Sequence, residues 1–445
     1  MRHIEGRMER SRSGTSRLPI LIIGALFFIF GFVTWLNGTL IPFLRLACDL
    51  KTDAQALFVT FAVYMAYFCL ALPSSVILGR TGFKGGIILG LVVMAGGCLV
   101  FVPAANRGSF GLFLTGLFVQ GMGLALMQTA TNPYIAIVGP IESAGSRMAI
   151  MGICNKVAGA LSPLVLGAVV LRGAGKVEAQ LQGSSGTDRL RLRADLSHRI
   201  VAPYVVMAAV LLLLAGLIWA SPLPEIEPEE DPASAGGDER TSIWKFPHLL
   251  LGVACLFLYV GVEVMAGDVI VLYARTLGLG LDQAKSLTSY TMWCMVAGYL
   301  LGSILVPKFV RQEIVFQACA VLGIVLSGAA FLSGGMASIS LIVLLGLANS
   351  MMWPVFFPLA IAGLGKFTKT GSALLIMGIA GGAIIPQIYA HLAHVIGVRA
   401  AFLACTLPSY AYILFYACRG HRVGRAGLIR GGQRPASASR PTEGT

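Results

Sequence analysis

Residues 118–163 decide the fold, and they read FVQGMGLALMQTATNPYIAIVGPIESAGSRMAIMGICNKVAGALSP. The stretch holds two apolar segments that are each long enough to span a bilayer. Both segments carry polar side chains at the depth of the hydrocarbon, namely Gln120, Gln128, Asn132, Asn155 and Lys156. A lysine at the centre of a membrane helix costs roughly 2.5–3.5 kcal/mol on insertion scales, and such groups persist where they face water or one another. The pattern therefore predicts that these two helices line a polar pocket inside a membrane protein.

The composition of the whole chain agrees with this interpretation. The chain of 445 residues is 56% hydrophobic and 12% charged, whereas soluble proteins carry about 25% charged residues. The net charge is +13, but the basic residues lie at helix ends and in the tails, which is the positive-inside distribution and argues against nucleic-acid binding. The nine cysteines are scattered, mostly within apolar runs, which predicts packing residues and no disulfides or metal ligands.

Apolar runs of about 20 residues recur along the chain, and each is a candidate membrane span. The first run is longer than the apolar part of a signal peptide, which predicts that no cleavable signal is present. We predict an all-α membrane protein of twelve spans, at about 20–44, 54–79, 85–103, 110–138, 147–171, 202–221, 247–275, 284–306, 313–333, 337–364, 370–393 and 398–418. A polar stretch at Arg172–Arg199 joins spans five and six and is predicted to carry a short helix.

The charged segments divide the chain into two six-helix bundles. Residues 222–246 are rich in Pro, Glu, Asp, Ser and Gly, a linker composition. The predicted organisation is a tail at 1–17, a bundle at 18–221, the linker at 222–246, a second bundle at 247–418 and a disordered basic tail at 419–445. The basic residues of the short loops concentrate on the side of the two tails and the linker, so we expect these to be cytoplasmic.

The two predicted bundles also repeat each other in sequence. Ala158–Pro163 matches Gly381–Pro386, Asn132-Pro133 in span four corresponds to Trp353-Pro354 in span ten, and the offset is nearly the same for both. The basic turns Arg80–Lys84 and Lys308–Arg311 correspond in the same way. Parallel repeats of this kind are typical of transporters that place a binding site between the repeats, near the middle of the membrane.

Several motifs in these spans resemble the major facilitator superfamily, and specifically its fucose/galactose/glucose–proton symporter family. The similarity extends over about Leu18–Cys418, and its carriers are Trp35–Pro42 in span one, Gln128–Tyr134 in span four, Cys154–Lys156 in span five, Tyr259–Glu263 in span seven and Gly381–Pro386 in span eleven. The resemblance implies the major facilitator fold of twelve helices, a rocker-switch mechanism and a hexose-like substrate. The fucose branch has acids at the positions of Gly38 and Gln128, so this chain is more similar to the glucose/galactose and N-acetylglucosamine branches.

Three charged residues are the candidates for coupling transport to a cation. Glu263 and Asp268 are the most deeply placed acids of span seven, and in an α-helix they would lie about 140° apart around the axis. Glu263 is nearer the middle, with Gly267 one turn beyond it to leave room for a substrate or ion. We predict that Lys156 pairs with Glu263, or donates to sugar hydroxyls, and that Asp268 lies at the external mouth. The alternatives are a structural acid buried against Lys156 and a lysine that extends to the membrane surface.

The candidate sugar contacts are amides and one aromatic residue. Gln128 and Asn132 are four residues apart on one helical face, and an amide both donates and accepts hydrogen bonds, as sugar hydroxyls require. Asn155 extends this surface, and Trp353 is a candidate platform for the apolar face of a sugar. Asn37 and Asn349 complete the set. The alternative for the amides is hydrogen bonding between helices, and for the tryptophan it is packing.

The predicted function is import of a hexose-type sugar into the cell with a co-transported proton or sodium ion. We expect a monomer in the bacterial inner membrane, with no bound cofactor and no metal, since His391 and His394 lack a third ligand. The turn Gly79–Lys84 lacks the ending of a phosphate loop, which argues against ATP-driven transport. The alternatives are an uncoupled facilitator, a drug exporter and a transporter-like sugar sensor. An intramembrane enzyme is disfavoured because no Ser–His or paired-Asp arrangement is found at membrane depth.

Overall fold

The computed structural model describes residues 17–137, 144–221, 242–306, 309–364 and 367–424. All regular secondary structure in these ranges is helical. In the first half, span one consists of Arg17–Thr34 and Asn37–Ala47, spans two and three of Phe58–Arg107, span four of Phe110–Ile137, span five of Ala144–Val170 and span six of Val201–Ala220. In the second half, span seven consists of Pro247–Val264 and Ile270–Thr276, span eight of Leu287–Leu305, span nine of Gln312–Leu332, span ten of Gly335–Ser350 and Met352–Ile361, span eleven of Thr368–Met377 and Gly381–Ile396, and span twelve of Val398–Cys418.

Spans two and three form one continuous helical segment of 50 residues with a bend at Gly82. A straight helix of that length would extend about 75 Å, more than twice the roughly 30 Å of a bilayer core. Gly82 has φ 69 and ψ 177, a conformation that glycine adopts without the steric cost that a Cβ would bring. The bend falls in the predicted basic turn and separates the two spans. Ten helical segments of the described chain are long and apolar enough to cross a membrane. The bent segment Phe58–Arg107 is one of them and provides two spans. Leu287–Leu305 corresponds to the remaining predicted span, span eight.

Four spans change their helical form near the middle. Spans one and ten are interrupted at Trp35–Leu36 and at Met351, and span eleven contains the 3-10 turn Gly378–Ala380. Span seven contains a π-helical turn at Met265–Val269. Such turns are rare and often occur at functional sites. Spans four and five, by contrast, continue as single helices.

Glycines let neighbouring spans approach at backbone distance. A Cβ on Gly90 in span three would lie 2.8 Å from the carbonyl oxygen of Gly123 in span four, and a Cβ on Gly123 would lie 2.5 Å from that of Gly90. Gly381 in span eleven packs against span seven, where an added Cβ would lie 1.7 Å from the carbonyl oxygen of Phe257. Small residues at helix contacts are the usual means of close packing in membranes.

The connecting segments are partly described. Arg172–Arg199 carries two helices, Ala174–Gly183 and Gly186–His198, where a short helix was predicted. Further short helices are Asp53–Ala56, Leu281–Ala284 and the 3-10 turn Ile243–Lys245. The tail after Cys418 was predicted to be disordered throughout, but it begins with a 3-10 turn at Gly420–Arg422 in which His421 is buried. The rest of that tail from 425, residues 1–16 and linker residues 222–241 lie outside the described residues, and the proposed domain limits remain a prediction.

The contact between spans seven and eleven can be tested with Gly381→Ala. The added methyl group would overlap the Phe257 carbonyl, so we expect destabilisation of at least about 1–3 kcal/mol, as for other overpacked sites. The measurement is the thermal unfolding midpoint of the purified protein in detergent. Gly216→Ala in span six is the matched control, because its Cβ would meet nothing within 4 Å. Equal midpoints for the two variants would contradict the packing described here.

Candidate functional site

A cavity of about 90 Å³ lies between the two halves at mid-depth of the bundle. This volume, which we call the central chamber, has room for several water molecules. Its polar lining consists of Thr34, Gln128, Asn132, Asn155, Lys156 and Glu263, and its aromatic lining includes Trp35, Tyr64, Tyr67, Tyr259, Tyr299 and Trp353. Spans from both halves therefore contribute to one polar, aromatic-lined space, as the repeat predicted.

An ion pair crosses the chamber from one half to the other. Lys156 Nζ of span five donates to Glu263 Oε1 of span seven at 2.8 Å. The Tyr259 hydroxyl, one turn before Glu263, lies 3.2 Å from the same oxygen and 3.2 Å from the backbone oxygen of Asn349, so its single proton is shared between the two acceptors. The two charged residues are only 6% and 9% exposed, so their charges compensate each other away from bulk water. Lys156 does not extend to the membrane surface, and its predicted pairing with Glu263 is present.

Trp35 forms the wall of the chamber beside this pair. The Lys156 ammonium lies 4.2 Å from the centroid of the Trp35 ring, within the range of a cation–π interaction. The indole Nε1 donates to Asn155 Oδ1 at 3.4 Å. Trp35 lies at the interruption of span one, which allows its ring to turn into the space between the halves.

Two glycines from opposite halves hold the indole ring. A Cβ on Gly159 of span five would lie 2.5 Å from an atom of Trp35, and a Cβ on Gly267 of span seven would lie 2.4 Å from another. The space beside Gly267, which we predicted to be room for a substrate or ion, is therefore filled by Trp35. Because this contact joins span one to span seven, it closes the chamber between the two halves.

The amides of span four face the chamber with unused hydrogen-bonding capacity. Gln128 Oε1 and Asn132 Nδ2 are buried and make no hydrogen bond to a described residue. A buried polar atom without a partner costs about 1–3 kcal/mol, so such atoms in a chamber wall are suited to a polar ligand. Gln120 of the same helix is buried away from the chamber, against Gly97 of span three.

Trp353 lies on the opposite wall, as its position in the repeat predicted. Its ring stacks on that of Phe357 with centroids 5.9 Å apart and an interplanar angle of 18°. The Tyr259 ring lies 6.5 Å away and is tilted. The half-buried indole thus has aromatic support on its protein side and the chamber in front of it.

The remaining predicted site residues do not line the chamber. Asn349 is fully buried in the second half, where Tyr410 donates to its Oδ1 at 2.8 Å and Tyr259 donates to its backbone oxygen at 3.2 Å. Asn37 is buried in span one, and its Nδ2 has no partner among the described residues. The lining of the chamber contains neither residue.

The sequence predicted Asp268 at the external mouth, but its side chain is completely buried. It belongs to the π-helical turn Met265–Val269, so the angle expected for a regular α-helix does not apply between it and Glu263. Its carboxyl group lies near the backbone of Gly38 in span one. The sequence offered no signal for the π turn.

One end of the bundle, which we call the closed end, carries the connections between spans one and two, three and four, five and six, seven and eight, nine and ten, and eleven and twelve. Three polar contacts join the halves there. Glu178 pairs with Arg275, the Gly175 amide donates to Asp282 at 3.3 Å, and the Gln387 amide donates to the carbonyl of Ala54 at 3.1 Å. The chamber extends in the other direction, towards Ile135 and Met148.

A further ion pair at the closed end lies within the first half. Asp49 accepts from Lys51 at 2.8 Å and from Arg193 at 2.5 Å. The hydrogen bond from Lys51 is the main reason that the pKa of Asp49 is lowered. The Gly186–His198 helix is thereby attached to the loop after span one.

The chamber is also lined by Trp35, Tyr259 and Tyr299, which are not among the candidate site residues predicted above. Tyr259 could have been found from its spacing, since it precedes Glu263 by four residues and so shares its helical face. Tyr299 carried no such signal. Among the described residues, no group of three or more His, Cys, Asp or Glu side chains could hold a metal ion.

A helical bundle in two halves around a polar chamber defines a membrane transport protein. The model of the Major Facilitator Superfamily matches residues 23–385, so the chain belongs to this superfamily and is a transporter, not an enzyme. A glucose/galactose transporter of Brucella abortus is 34% identical over 400 residues, which cover 89% of this chain and 92% of the relative. An L-fucose-proton symporter of Escherichia coli is 28% identical over 386 residues, covering 84% and 87%. The crystal structure of FucP, a transporter of this superfamily in the outward conformation, matches with a TM-score of 0.72 and 25% identity over 92% of this chain and 99% of that one.

The ion pair predicts how the stabilities of the single and double variants of Lys156 and Glu263 compare. Removal of one partner leaves the other charge buried and unpaired, so Lys156→Met and Glu263→Gln should each destabilise the protein, by up to about 3–5 kcal/mol. The double variant removes both charges, and we expect it to recover most of the loss. Thermal unfolding of all four proteins in detergent measures the coupling. Losses that simply add in the double variant would show that the two side chains do not interact.

Proposed function

We propose that this chain imports a hexose-type sugar, of the glucose, galactose or N-acetylglucosamine class, together with a cation. The observation that carries the proposal is the central chamber, in which unpartnered amides, aromatic rings and one ion pair face the same space. Amides suit the mixed donors and acceptors of a sugar, and Trp353 suits its apolar face. The relatives described above, a glucose/galactose transporter and an L-fucose-proton symporter, support a hexose-type substrate.

The proposed mechanism is alternating access. The halves meet at the closed end while the chamber extends away from it, so we interpret the structure as a state that is open towards one side. The distribution of basic residues predicts that the tails and the linker are cytoplasmic. The chamber is then open towards the cytoplasm. The protein would then work in the bacterial inner membrane, and the closed end would face outward.

Glu263 is the group that we propose for coupling. In this structure the Lys156 ammonium lies 2.8 Å from its carboxylate, so the two opposite charges compensate each other. A proton or other cation that neutralises Glu263 would release Lys156 from the pair. Because the two residues lie on different halves, this release changes the attraction between the halves. Cation binding and movement of the halves are coupled through this one contact.

The sugar contact is tested by counterflow in proteoliposomes with labelled glucose, galactose, N-acetylglucosamine and fucose. Loss of one neutral hydrogen bond costs about 0.5–1.5 kcal/mol, so Gln128→Ala should raise the half-saturating sugar concentration roughly 2- to 10-fold. Gln120→Ala is the matched control, since it is the same residue type on the same helix away from the chamber. Efflux of hydrophobic cations with no sugar counterflow would instead identify an exporter, and sugar binding without flux would identify a sensor.

Coupling is tested with Glu263→Gln, which is neutral but retains the shape of the side chain. We expect it to lose accumulation of sugar against a gradient and to retain exchange. Uptake is measured in vesicles with pH and sodium gradients imposed independently, which also identifies the cation. Glu313→Gln is the control, because Glu313 pairs with Arg311 and Arg422 outside the chamber. A Glu263→Gln protein that concentrates sugar normally would refute this assignment.

A further inference from the structure

Asp268 is a buried acid that the coupling step does not use. Its side chain is 0% exposed, and neither carboxylate oxygen makes a hydrogen bond with acceptable geometry to a described residue. An ionised carboxylate in an apolar environment without partners is strongly unfavourable, and such groups avoid the cost by binding a proton. The burial of Asp268 in this state therefore needs an explanation.

The charged and titratable groups around Asp268 come from three spans. They are Glu263 on its own span, Lys156 on span five and Tyr64 on span two. Lys156 is the nearby cation, and its ammonium is already bonded to Glu263. Two carboxyl groups thus share one nearby ammonium group, which does not fully compensate the charge of an ionised Asp268.

Span one supplies the surface that covers Asp268. The carboxyl group lies near the backbone of Gly38, although this contact does not have hydrogen-bond geometry. Thr288 of span eight packs on the same glycine, where an added Cβ would lie 2.3 Å from its Oγ1. That hydroxyl makes no hydrogen bond to any residue in the described ranges. Since span one belongs to the first half and spans seven and eight to the second, Asp268 is buried by the contact between the halves.

This contact lies between the chamber and the closed end. Gly267, the residue before Asp268, packs against Trp35 in the chamber wall, and the segment Asn37–Ala47 continues from Gly38 to the closed end. In the alternating access proposed above, separation of the halves at that end would admit water between spans one and seven as far as Asp268. The carboxyl group would then be hydrated in one state and dry in the other.

We propose that Asp268 is a second proton-binding site, distinct from Glu263, and that the closed end shuts only when Asp268 has taken a proton from the water on that side. The proposal rests on the alternating access described above. The carboxylate binds a proton while hydrated, the neutral carboxylic acid is buried on closing, and the proton returns to the same water on reopening. The site thus makes closure dependent on external pH without carrying the proton across the membrane.

The sign of the pH effect follows from linkage. The shut state holds one more proton than the open state, so acid favours closure and alkali favours opening, by up to about tenfold per pH unit. The probe is a pair of spin labels at Arg107 and Val395, which are exposed at the closed end on different halves. They are introduced as cysteines into the full chain after its native cysteines are replaced, and their distance is measured in the absence of sugar across a range of pH.

We expect the shorter distance to prevail at low pH and the longer one to grow as pH rises. In Asp268→Asn, which is neutral at every pH, the shorter distance should prevail throughout. The pH response of this distance is measured without sugar and separately from the accumulation lost in Glu263→Gln, so the failure of the coupling assignment and of this proposal can be told apart. A wild-type distance that does not change with pH overturns the proposal without any variant. It is also overturned if Asp268→Asn responds to pH as the wild type does, or if sodium rather than protons drives closure.

Discussion

The ion pair between Lys156 and Glu263 is the contact on which the rest of the structure depends. Two opposite charges about 3 Å apart attract strongly when the surroundings are less polarisable than water, and each is costly to bury alone. Because the lysine belongs to the first half and the glutamate to the second, their attraction brings the halves together at mid-depth. Any rearrangement that separates these spans must first supply water, a proton or a ligand group to one of the two charges.

The side chains around the ion pair accommodate its two buried charges with few polar groups. Trp35 covers the ammonium with its ring and occupies the space left by Gly159 and Gly267. Tyr259 supplies a hydroxyl to the carboxylate. Both charges are therefore held by aromatic residues that also line the chamber, so a ligand that displaces an aromatic ring would change the environment of the charges directly. This is a physical route by which substrate occupancy and the state of the ion pair can influence each other.

The sequence predicted the features that follow from transfer free energy. Polar side chains at membrane depth identified spans four, five and seven as lining a chamber, and the repeat placed Trp353 opposite Asn132. It did not predict features that depend on how helices deviate from ideal geometry. Asp268, which was predicted at the external mouth, is buried and belongs to the π turn Met265–Val269. The interruption at Trp35–Leu36 turns an indole into space that was assigned to a ligand. Neither deviation has a composition signal, because both arise from the packing of one half against the other.

The two halves contribute unequal numbers of charges, and the irregular turn in span seven determines where the second acid lies. Gly38 and Gln128 are neutral where the resembling fucose branch has acids, so in the described part of the site the first half contributes the cation Lys156 and the second half contributes Glu263 and Asp268. With both acids ionised, the second half carries one more negative charge than Lys156 can compensate. The π turn directs the surplus acid towards Gly38, where the absence of a side chain lets span one cover it. A glycine in span one and a local helical irregularity in span seven therefore act together: they place the second acid outside the central chamber, in the contact between the halves.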